Sequence, residues 1–130
     1  MSEVKVLVDG SAVAEVLRLD EPLSFWGGVD PHTGDVIEKR HPQFGESVAG
    51  KLVSMPAGRG SSSASSVLAE VLRRGCGPVG IVLEEGDGIL VAGALVAQEL
   101  YDVQCPIVVS NVPMRTGETW SLNGTQIVKA

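Results

Sequence analysis

Between Ser47 and Ser110 the chain alternates short apolar runs with helical patterns, and this alternation limits the possible folds more than any other feature. "SVAGKLVSM", "PVGIVL" and "CPIVVS" have the length and apolar content of strands, and "VLAEVLRR" and "ILVAGALVAQEL" separate them. A β-α-β-α-β run of this kind builds a layered α/β domain. Upstream, Val4, Val6 and Val8 alternate with polar or outward residues as a first strand ending at Asp9-Gly10, and "AEVLRL" is a short second one. Downstream, "ETWSLNGTQIVKA" reads as a hairpin around Asn123-Gly124. The expectation is a single α/β domain over residues 1–130 with a mixed sheet. At 130 residues the chain can bury a proper core, which must be built from Val, Leu, Ile and Ala because aromatics make up only 4%.

The first helix should begin at Ser62 or Ser65 and run to Arg74. Val67, Leu68, Val71 and Leu72 form its apolar stripe, Arg73 and Arg74 suit the negative end of the dipole, and Gly75 is a C′ residue. The second, from Ile89, is apolar enough to read as a buried helix, yet it meets Gln98 and Glu99 well short of a bilayer span. No charged-then-apolar leader precedes the first strand, so the expected setting is cytoplasmic, with no membrane partner. A net charge of −6 argues against a nucleic-acid surface. Cys76 and Cys105 lack the spacing of a metal clip and are read as small buried hydrophobes.

From Asp20 to Ser47 the sequence is irregular and long, and it holds both histidines, both phenylalanines and one of the two tryptophans. Loops of this length tend to be functional, and Phe25, Trp26, Val29, Ile37 and Phe44 call for burial or a partner. Taken singly, Phe25 and Trp26 are core residues. Taken as a set, they suit an interface. Asp30 and Asp35 are turn formers.

One stretch carries chemistry. In "MPAGRGSSSASSVLAE", Arg59 lies between two glycines and is followed by five serines in six positions, at the junction of a strand and a helix. Backbone N–H groups at a helix start favour an anion, glycines allow close approach, and an arginine fork grips a carboxylate or phosphate. The competing reading is a plain serine N-cap. It needs one serine rather than five, and no arginine. A serine held there could also serve as a base, since neighbouring cationic and N–H groups stabilise its alkoxide. The pattern is neither a Walker A loop nor a nucleophile elbow.

"PLSFWGGVDPHTGDVIEKRHP", "GESVAGKLVSMPAGRGSSSASSVLAE" and "ILVAGALVAQEL" together resemble the small subunit of the aconitase X group, over nearly the whole chain. The resemblance implies a swivelling β/β/α fold and a large-subunit partner carrying an iron or iron–sulfur centre, with no metal held by this chain. It also implies dehydration of a small hydroxy acid. The catalytic base maps onto Ser61, with Ser62 beside it as the alternative because the serine run blurs the register. Arg59, Gly58, Gly60 and Ser63 would bind the substrate's anionic group or shape the loop, and the partner's metal would polarise the departing hydroxyl. Two substrates are implied by the group, cis-3-hydroxy-L-proline and mevalonate 5-phosphate. "GRGSSSASS" with "LVAQELY" is more similar to the bacterial, hydroxyproline type.

Three other readings compete. His32 and His41 invite a serine hydrolase, but each adjoins a proline in turn-rich sequence, which favours surface or loop packing. Glu84, Glu85 and Asp87 could suggest a metal, though a solvated loop after a strand is the simpler reading. A stand-alone anion-binding module with "FWGGVD" as a docking patch would need neither partner nor turnover.

Overall fold

The computed structural model describes residues 4–130; Met1, Ser2 and Glu3, the start of the expected domain span, lie outside the described residues. Seven strands form one mixed sheet in the order β1-β5-β4-β3-β2-β6-β7. They are β1 (Lys5–Val8), β2 (Ser11–Arg18), β3 (Leu52–Met55), β4 (Gly80–Leu83), β5 (Ile107–Val109), β6 (Thr119–Asn123) and β7 (Gln126–Lys129). The four central strands β2, β3, β4 and β5 are mutually parallel, and β1, β6 and β7 are antiparallel additions at the two sides. Helix α2 (Ser63–Arg73) connects β3 to β4, and α3 (Gly88–Tyr101) connects β4 to β5.

Strand periodicity sorts the core into two layers. Leu17, Val53, Met55, Ile81 and Leu83 point to the helices and pack with Leu68, Val71, Leu72, Leu90 and Ala94. Val16, Leu52, Val82 and Val108 point the other way, against Met114, Trp120 and Leu122. Both faces of the central strands are therefore covered, so every residue of β3 and β4 is buried, Ser54 included, and neither reads as an alternation. The two helices touch closely at Gly93, where an added Cβ would stand 2.6 Å from the Ser65 carbonyl oxygen.

Several boundaries differ from expectation, some for local reasons and some because of neighbouring strands. The strand expected from Ser47 begins only at Leu52, because Val48 to Gly50 forms a turn in which Gly50 takes φ +69°. Strand β2 starts at Ser11, three residues early, held by β6. The hairpin turn centres on Gly124-Thr125, since Asn123 and Gln126 already face each other across the ladder. Helix α3 is not wholly buried: Leu90, Gly93, Ala94 and Ala97 face the core while Leu95, Val96, Leu100 and Tyr101 face outward.

Helix α2 ends as its sequence indicates. Gly75 takes φ +77°, its N–H donates to the Leu72 carbonyl and that of Cys76 to the Val71 carbonyl, a Schellman closure. The irregular Asp20–Ser47 region is ordered by its own apolar residues. Leu23, Phe25, Val29 and Val36 are buried, and bridges tie Val29 to Val36, Asp35 to Ser47, and Leu23 to Gly58. Its one helical turn, α1 (Phe25–Gly28), is broken at Trp26 and Gly27, which turns Phe25 into the core and Trp26 out to solvent.

Candidate active site

The serine turn leaves the C-terminal end of β3 and enters α2, on the edge of a parallel sheet where ligands of α/β proteins gather. Two glycines set its path. At Gly58 a Cβ would overlap the Asp87 carboxylate, which caps α3 by accepting from the Ile89 N–H at 2.8 Å and the Leu90 N–H at 3.0 Å. At Gly60 the backbone takes φ +117°, and a Cβ would overlap the Ser24 hydroxyl. Both glycines shape the loop.

Ser61, Ser62 and Ser63 are all exposed. The Ser61 carbonyl accepts from the Ala64 N–H at 2.9 Å, while its Oγ accepts from the Ser63 N–H only at 3.4 Å, a weak contact. Ser62 has helical φ and ψ of −55° and −24° and makes no side-chain cap. The Ser65 hydroxyl donates to the Ser62 carbonyl at 2.7 Å. Strong capping therefore does not account for the serine run, and the hydroxyls of Ser61 and Ser62 stay available at the positive end of α2.

Arg59 donates through Nη2 to Oε1 of Glu38 at 2.9 Å. The two line a depression of about 310 Å³ together with Ser24, Trp26, Gly27, Gly28 and Gly60. This fold of the long loop against the serine turn joins residues that are far apart in sequence. It places the "FWGG" segment at the site, and it adds Glu38, which no local pattern marks within the charged run "EKR".

A larger cavity, about 480 Å³, lies at the same sheet edge and is lined in part by Arg18, Asp20, Gln43 and Glu84. Arg18 and Ser54 share the strand face of Val16 and Leu52, opposite the helices. Its charges are largely matched internally: Arg18 donates to Ser54 Oγ at 3.0 Å and to Glu84 at 2.7 Å, and Gln43 donates to Asp20 at 2.8 Å.

The acidic run is thus dispersed, with Glu84 paired to Arg18 and Asp87 capping a helix, so the solvated-loop reading holds for Glu85 alone. No group of three or more metal-ligating side chains occurs among the described residues. Burial pushes the Cys105 thiol up to about 12, which disfavours the thiolate a metal needs. Cys76 is half-buried, with its sulfur 3.5 Å from the Pro31 carbonyl oxygen. These residues do not fit an iron centre. His41 is a packing residue: it is buried, its Nδ1 accepts from the Gln43 N–H and its Nε2 donates to the Glu21 carbonyl. His32 is exposed, and Asp30 makes the Asx turn that sets it, accepting from the His32 N–H at 2.8 Å.

A model of the aconitase X swivel domain matches residues 1–129. The chain belongs to the aconitase X swivel-domain family. The crystal structure of aconitase X from Thermococcus kodakaraensis, in its holo form, superposes with a TM-score of 0.89 at 30% identity, covering 99% of this chain and 97% of that one. The α/β swivel fold with a mixed sheet is therefore the one the resemblance implied. Among curated relatives, a cis-3-hydroxy-L-proline dehydratase of Pseudomonas aeruginosa is 48% identical over 103 residues, 79% of this chain. The matched region is only 18% of that relative's length. A phosphomevalonate dehydratase small subunit of Methanopyrus kandleri is 45% identical over 93 residues, 72% of this chain and 69% of its own.

Proposed function

We propose that this chain is the small subunit of a two-subunit hydro-lyase, with Ser61 as the base that starts the dehydration of a hydroxy acid. The observation that carries the reading is the exposed, uncommitted serine pair at the α2 N-terminus, beside Arg59, in a chain whose relatives are named dehydratases. Arg59 binds the substrate carboxylate. The N-terminus of α2 and the Arg59 charge favour an alkoxide at Ser61, which takes the proton from the carbon next to that carboxylate. Electrons of the broken C–H bond form a carbon–carbon double bond as the neighbouring C–O bond breaks, and the hydroxyl leaves with a proton as water. For cis-3-hydroxy-L-proline the product is an enamine that tautomerises to Δ1-pyrroline-2-carboxylate. The iron or iron–sulfur centre belongs, in this reading, to the large subunit, since the described residues of this chain offer no ligand set.

Cis-3-hydroxy-L-proline is the proposed substrate and mevalonate 5-phosphate the second reading, favoured by the archaeal small-subunit relative that matches over most of its length. Identities of 48% and 45% do not separate the two.

The test is to isolate the tagged chain from its own cells, weigh the complex, measure its iron and assay both substrates. A fixed-ratio, iron-bearing partner is expected. Within that complex, Ser61→Ala should lower turnover by about a hundredfold or more with assembly intact, the scale of a lost general base. A normal rate there with Ser62→Ala inactive would move the base by one residue. A lone iron-free chain that binds anions without turnover would replace the dehydratase by a binding module.

A further inference from the structure

Among the described residues, Glu38 and Arg59 are the only charged groups lining the depression beside the serine turn. They meet through one bond, Nη2 to Oε1 at 2.9 Å. Nε and Nη1 of Arg59 and Oε2 of Glu38 have no hydrogen-bond partner among the described residues. Their side chains are 54% and 30% exposed, so the pair adds little to folding. What it does is hold two opposite charges side by side at the mouth of one cavity, each with bonding capacity to spare. The complement of such a pair is a ligand that is itself a zwitterion.

We propose that Glu38 receives the ammonium group of an amino-acid substrate whose carboxylate is taken by Arg59, and that Glu38 thereby sets the choice of substrate class. This rests on the reading of the chain as a dehydratase subunit and deepens it. A secondary ammonium on a five-membered ring, one bond from the carbon bearing the carboxylate, keeps both charges of the ligand close enough to meet two side chains that themselves stand 2.9 Å apart. The Trp26 indole, 63% exposed, lines the same depression, and an aromatic ring there attracts a cation. A substrate carrying a phosphate as well as a carboxylate would set its second negative charge against Glu38, with one arginine between them to neutralise three anionic groups.

The experiment compares two ligands of one shape on the complete complex: L-proline, a zwitterion, and cyclopentanecarboxylate, the same ring without the nitrogen. Neither has a hydroxyl to lose, so calorimetry reads binding alone. Wild type should prefer L-proline by about tenfold, the scale of one charge-assisted hydrogen bond. Glu38→Gln should abolish that preference, weakening L-proline while leaving cyclopentanecarboxylate unchanged or tighter, and Glu38→Asp should keep part of it. A thermal melt of each variant, expected to match wild type, separates this from misfolding. Equal affinity of the two ligands in wild type, or a preference that survives in Glu38→Gln, would overturn the proposal. The two readings fail separately: a preference that depends on Glu38 in a complex without dehydratase turnover would retain the receptor and remove the enzyme. Turnover with an unaltered preference would do the reverse.

Discussion

A methyl group at position 58 would occupy the space of the Asp87 carboxylate, so the serine turn and the start of α3 are fitted to each other at a single residue. Gly58→Ala should cost about 1–3 kcal/mol, combining a displaced helix cap with local overpacking. Urea denaturation of the isolated variant measures it, and an unchanged midpoint would mean that Asp87 swings aside while keeping its bonds to Ile89 and Leu90. Gly60 is bound by backbone instead, since φ +117° is a conformation that side-chain-bearing residues rarely adopt. In the sequence, glycine in this turn reads as a means of close approach to a ligand. The structure shows that both glycines are needed by the protein itself, because what approaches them is Asp87 and Ser24.

At the level of elements, the two crossover helices follow their sequence patterns closely, while the strands depart from theirs, β3 through the local turn at Gly50 and β2 through a neighbour. Strand β2 extends because β6 lies beside it, a pairing more than a hundred residues away that no local window contains. The β6–β7 hairpin is pinned by Glu118, which accepts from the Trp120 indole N–H at 3.0 Å and pairs with Lys129 at 2.9 Å. Bonds from Lys129, Trp120 and the Arg115 N–H hold its carboxyl at about 2, below the ordinary 4.5. A carboxyl whose folded value is depressed stabilises the fold at pH above its unfolded value, and that contribution is lost as pH falls toward the folded one. Wild type should therefore lose more stability than Glu118→Gln between about pH 4.5 and pH 2. Urea midpoints at pH 6, 4 and 3 (choices of ordinary buffers, roughly spanning that range) compare the two. Parallel curves would show that the hairpin charge contributes nothing to the folded state.

Over the whole molecule, apolar surface is divided unevenly. Leu68 is fully buried between helix and sheet, and Leu68→Ala should cost about 2–5 kcal/mol. Leu100, 68% exposed on α3, should tolerate serine within about 0.5 kcal/mol in the isolated chain. A denaturation series on both variants checks the contrast, and a large loss at Leu100 would mean that α3 packs differently from the arrangement described. The outward Leu95, Val96, Leu100 and Tyr101 explain why this helix reads as wholly buried in sequence. Hydropathy records that a side chain is apolar but carries no information on which neighbour covers it.

The sequence by itself determined the α/β class, the two crossover helices, the Gly75 closure of the first of them, and the glycine- and serine-rich turn that leads into it. Those features rest on periodicity and on glycine, proline and serine chemistry, all of which act over a few residues. Only the tertiary structure decided that Phe25 turns inward and Trp26 outward, that the acidic run divides between a cap and an ion pair, and that Glu38 meets Arg59 across 21 positions. The reason is physical. Folding brings charges and apolar faces together by burying the segments between them, and which charge meets which is fixed by the path of the whole chain.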